Sequence, residues 1–96
     1  MYILKSTLTK LADDKWYGVD HPESVRNHHR WANAQPGLIK SSRNFIDENT
    51  TELTLVFETK SLCDSFIANR EKNPDWQLIK EHHRTHNQKH VEITIQ

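Results

Sequence analysis

Residues 2 to 10, YILKSTLTK, set Tyr2, Leu4, Ser6 and Leu8 against Ile3, Lys5, Thr7 and Thr9. That is the period of two of a β-strand, supported by β-branched residues. Regularity breaks over LADDKWYGVDHPE. There Asp20, Pro22 and Glu23 form a helix-start signature, with Glu23 placed to complete a capping box, so a first helix is predicted over 22 to 34. It stops at QPG, because Pro36 cannot continue a helix and Gly37 can take a positive φ. LIKSSRNFI (38 to 46) and ELTLVFET (52 to 59) flank the turn formers DENTT and read as a β-hairpin, with Leu53, Leu55 and Phe57 sharing one face of its second arm. Ser61 is expected to open the next helix, with Asp64 at N3 and Leu62, Phe66 and Ile67 turned towards the sheet. Asn73 as cap, Pro74 at the first position and Asp75 in the first turn begin a third helix over about 75 to 88. In VEITIQ, Val91, Ile93 and Ile95 alternate with Glu92, Thr94 and Gln96, the mark of a half-buried strand.

The order β, α, β, β, α, α, β predicts an α+β, ferredoxin-like architecture: an antiparallel sheet with helices on one face and one additional helix. At 96 residues the chain is read as one domain, 1-96, with one core. Only 34% of residues are hydrophobic, and the mean hydropathy of −0.86 is low for so small a core. A homodimer would supply the missing burial. Thirteen basic side chains cancel thirteen acidic ones, so the overall balance draws the chain neither to nucleic acid nor to an anionic membrane. Cys63 is the single cysteine and is read as a small buried residue. MYILKSTLTK has neither the basic start nor the long apolar run of a signal peptide, and a cytoplasmic, reducing location is expected.

The chemistry concentrates in KEHHRTHNQKH, Lys80 to His90, where four of the seven histidines fall. On a helix His82, His86 and His90 are spaced i, i+4, i+8, and His83, His86 and His90 are spaced i, i+3, i+7, so either set lies along one stripe. Imidazoles so placed can chelate a divalent metal, with His28 or His29 as a further ligand. The competing reading makes Trp76, Ile79, His83 and His86 an amphipathic face at a surface, a pocket mouth or a dimer contact, without ligand chemistry. Lys80, Arg84 and Lys89 make the segment locally basic, but Glu81 interrupts it and nucleic acid is not the expected partner. Trp31 is read as a core or dimer residue, and Trp16 and Tyr17 as a loop able to close over a pocket.

QPGLIKSSRNFIDENTTELTLVFETKSLCDSFI resembles the central segment of the antibiotic biosynthesis monooxygenase-like superfamily, whose features here are Pro36, Gly37, Phe57, Glu58 and Ser61. The resemblance implies a dimeric α/β barrel with a pocket between sheet and helices in each subunit. Its quinone-forming branch implies oxidation of a small aromatic or quinol-type compound without metal or flavin. His83 would then act as the base, and Trp31, Phe66, Trp76, His28 and His29 would hold the substrate. The haem-degrading branch offers the alternative of haem bound through His83 or His82. Its first-strand asparagine has no counterpart, since the first asparagine is Asn27, and its tryptophan position holds Phe66.

Overall fold

A computed structural model describes residues 1–96. The alternating segments pair as expected: β1 (Tyr2–Thr9), β2 (Leu38–Asp47), β3 (Thr50–Phe57) and β4 (Lys89–Ile95) form one four-stranded sheet in the order β2-β3-β1-β4. Every neighbouring pair is antiparallel, the ferredoxin-like arrangement. Register sets the faces. Leu4 lies opposite Leu55 and Thr94, Ser6 opposite Leu53 and Glu92, and Leu8 opposite Thr51 and His90. These residues face the helices. Leu4, Leu55 and Phe57 join Ala32, Cys63 and Phe66 in the core, with Trp31, Leu62 and Ile67 at its margin.

Helices α2 (Pro22–Asn33), α3 (Lys60–Arg70) and α4 (Pro74–Thr85) lie where proline, caps and periodicity place them. Asn73 caps α4 as expected, its Oδ1 accepting from the Trp76 amide at 3.0 Å. The α4 helix ends at Thr85, three residues before the predicted 88, and Asn87 at φ 53° turns the chain into β4. The α3 cap is Thr59, not Ser61: the Thr59 Oγ1 accepts from the Leu62 amide, and Ser61 lies within the first turn. A short helix α1 (Tyr17–Asp20) occupies the segment read as irregular. Asp20 therefore ends α1, and α2 starts at His21 without a side-chain cap. Gly37 takes φ +82°, and a Cβ there would lie 2.8 Å from Leu62 Cβ, so the tight exit from α2 requires glycine.

β4 has a specific polarity. Its apolar residues Val91, Ile93 and Ile95 stand exposed on the open face of the sheet, while His90 and Glu92 point towards the helices. The half-buried strand is thus buried on its polar side in this single chain. No helix is long and apolar enough to cross a membrane.

Candidate functional site

Between the inner face of the sheet and helices α1, α2 and α4 lies a cavity of about 680 Å³. Ser6, Leu8, Leu53 and Leu55 form its floor, and Val25, His28 and Ala32 of α2 one wall. The stripe Trp76, Ile79 and His83 of α4 forms another, with Trp16 and Tyr17 closing one side. Tyr17 is held by a chain of hydroxyls. Its OH donates to Ser24 Oγ at 2.9 Å, and Ser24 donates to Asp75 at 2.8 Å. This links α1 to the starts of α2 and α4.

The polar end of the cavity is built across three elements. Arg70, in the last turn of α3, makes a bidentate pair with Glu92 of β4 at 2.8 and 2.6 Å. Ser6 of β1 donates to the same carboxylate. Burial is the largest single influence on the Glu92 carboxyl and raises its pKa, but the hydrogen bonds and charge of Arg70, with Ser6 and His90, together outweigh it and leave it below the ordinary value. The Arg70 guanidinium lies 4.2 Å over the Trp76 ring. His90 Nε2 stands 3.6 Å from Glu92 Oε2, and the His83 and His90 rings are 5.6 Å apart.

The imidazoles here are neutral at neutral pH. Burial, reinforced by His90 and His82, lowers His83 to about 4. Burial and the neighbouring His29 lower His28 to about 4 as well. His90 is pushed down by burial despite Glu92. At the mouth, Arg43 of β2 donates to Thr51 Oγ1 at 3.2 Å, and His29 of α2 is lowered by burial and by Arg43.

Of the residues singled out in the sequence, His83, His28, His29, Phe66, Trp76 and His90 border the cavity. Trp31 does not: it stacks on His28 at 5.7 Å and packs at a tilt against Phe66 at 5.4 Å, behind the wall. His82 and His86 also stay outside. Their rings stack 3.9 Å apart, with His82 Nε2 at 3.0 Å from the Lys15 carbonyl and His86 Nδ1 at 2.9 Å from Asp14. The set His82, His86, His90 therefore does not converge, and no group of three metal-ligating side chains does. Arg70, Glu92, Ser6 and Arg43 were not singled out. The signal for two of them was present, since Ser6 and Glu92 are the polar positions in phase with Leu4 and with His90 on strands whose register brings them opposite each other.

No protein-family model matches the chain, and no curated protein matches it in sequence. Solved structures do match it in shape. A putative antibiotic biosynthesis monooxygenase from Deinococcus radiodurans superposes with a TM-score of 0.72 at 10% identity, over 100% of this chain and 91% of that one. SnoaB, a cofactor-independent oxygenase from Streptomyces nogalater, gives 0.69 at 9% identity, over 99% and 90%. A dimeric ferredoxin-like protein from an uncultured marine organism gives 0.62 at 19% identity, over 98% and 92%. These structures thus share the ferredoxin-like fold of this chain along its whole length.

Proposed function

We propose that the chain is a homodimeric, cytoplasmic, cofactor-independent monooxygenase acting on a small aromatic or quinol-type compound. The observation that carries this reading is the cavity itself: an apolar, aromatic-walled space with neutral imidazoles at its polar end. The shared fold with a cofactor-independent oxygenase supports it. In such a reaction a ring methylene, or the ring C–H para to a phenol hydroxyl, becomes a carbonyl: two hydrogens are lost, from the methylene or from the C–H and the O–H, one oxygen atom is gained, and the second oxygen atom leaves as water. The substrate supplies all four electrons that dioxygen takes up, so no reductant is required. The protein's part is to bind the ring, keep water away and accept a proton. His83, buried and uncharged, is the proposed base, with Phe66, Trp76, His28 and His29 around the ring and Trp31 supporting the wall.

The test is oxygen uptake by the purified chain with a panel of anthrones and hydroquinones. Uptake with at least one, falling about 100-fold in His83→Ala, is the expected outcome. Binding without uptake across the panel would make the chain a non-catalytic ligand-binding dimer, the second reading.

A further inference from the structure

The charges of the cavity do not balance. Among its lining residues Arg70 and Arg43 carry full charges, and no carboxylate borders it. Arg70 is neutralised from just behind the wall by Glu92. Arg43 has no such partner. Its hydrogen bond goes to the neutral hydroxyl of Thr51, and the register places it on the inner face of β2, opposite Leu53. His29, on the facing helix α2, lines the same cavity, and its pKa is lowered by burial first and by the Arg43 charge second. The mouth therefore presents a planar five-donor cation and a neutral imidazole next to an aromatic chamber, without an internal counter-ion.

We infer that the ligand of this cavity is an aromatic carboxylate, with Arg43 and His29 receiving its carboxylate at the mouth while its rings lie against Phe66 and Trp76. The guanidinium fork matches the two carboxylate oxygens, and its exposed position at the mouth leaves it free to receive them while the rings lie deeper. This deepens the proposed function by naming a class of substrate: a phenol or quinol that also carries a carboxylate. It rests on the reading of the cavity as an aromatic-ligand site.

Titration calorimetry of the full chain with 2-naphthoate and with its neutral isostere 2-naphthamide separates the two ideas. Naphthoate is expected to bind at least tenfold more tightly than naphthamide. Arg43→Gln should bring the naphthoate affinity down to that of naphthamide measured in the same variant. β2 is an exposed edge strand, so the substitution leaves the core intact. Equal affinities in the unaltered chain, or a preference that survives in Arg43→Gln, would overturn the carboxylate inference while leaving an aromatic site. Failure of both probes to bind at millimolar concentration would sink the aromatic reading, and the inference with it.

Discussion

A histidine that must lose its charge to be buried stores a dependence on pH. His83 and His28 titrate near 4 in the folded chain, against about 6.5 when unfolded. Between those values the unfolded chain binds protons that the native one refuses, so stability is full above about 6.5 and is lost as pH falls towards 4. Urea unfolding at pH 7, 5.5 and 4.5 should show the midpoint dropping steadily, with a shallower slope in the double variant His28→Gln, His83→Gln. A midpoint unchanged from pH 7 to 4.5 would mean that water reaches both rings. The same depression bears on chemistry: His83 keeps its free lone pair down to about pH 4, so a base at this position would impose no loss of kcat/KM near 6.5. The stripe Trp76, Ile79, His83 points to His83 in the sequence, but its burial and the loss of its charge are not visible in KEHHRTHNQKH as a string. Spacing alone sets either His82 or His83 in line with His86 and His90, and the rotation of α4 by its Trp76 and Ile79 anchors then sends His83 inward and His82 and His86 to the β1–α1 loop.

At the scale of elements, one ion pair ties α3, β4 and β1 together at the polar end of the cavity. Arg70 is 7% and Glu92 21% exposed, so replacing one partner leaves a largely buried charge. Glu92→Gln is expected to cost about 3 kcal/mol in urea unfolding, and the double variant Arg70→Met, Glu92→Leu should recover most of it. Equal losses in both variants would mean that the pair adds net stability beyond the cost of stranding a charge. The solvent-facing Lys60–Asp64 pair one turn apart on α3 should be silent in the same assay. Elements with a strong local signal were legible: the alternating strands, the Asn73–Pro74 start, the Pro36–Gly37 exit. The misplaced features each depend on something local pattern does not carry. Thr59 outcompetes Ser61 as a cap because Phe57 closes β3 two residues before it, leaving Thr59 extended with its hydroxyl free. Helix α1 is too short to show a period, and it is held by tertiary bonds from Tyr17 through Ser24 to Asp75.

For the whole molecule the question is what the open face of the sheet does. Ile3 lies between Val56 and Ile95 across three strands, and Ile93 and Val91 continue the apolar strip along β4. A Lys5–Glu52 ion pair at 3.7 Å interrupts it. In β4 the strict alternation read from VEITIQ is satisfied the wrong way round for a lone chain, since Ile93 is 52% exposed while the Glu92 side chain is only 21% exposed. Only 14 of 96 residues are buried, which leaves a small core whose stability would gain from association. An isologous face-to-face pair would bury the strip on both copies, and a stable interface needs on the order of 800 Å² from each. The apolar side chains, those of the edge strand β4 included, project from the open face of the sheet, which argues for stacked sheets over edge pairing. Sedimentation equilibrium at micromolar concentration should therefore give twice the chain mass. Ile93→Glu, which places a charge on each copy at the centre of the strip, should shift the equilibrium towards monomer by at least tenfold with the circular dichroism spectrum retained. A monomer in the unaltered chain would remove the dimer, and Ile93→Glu leaving a dimer intact would move the contact to another surface.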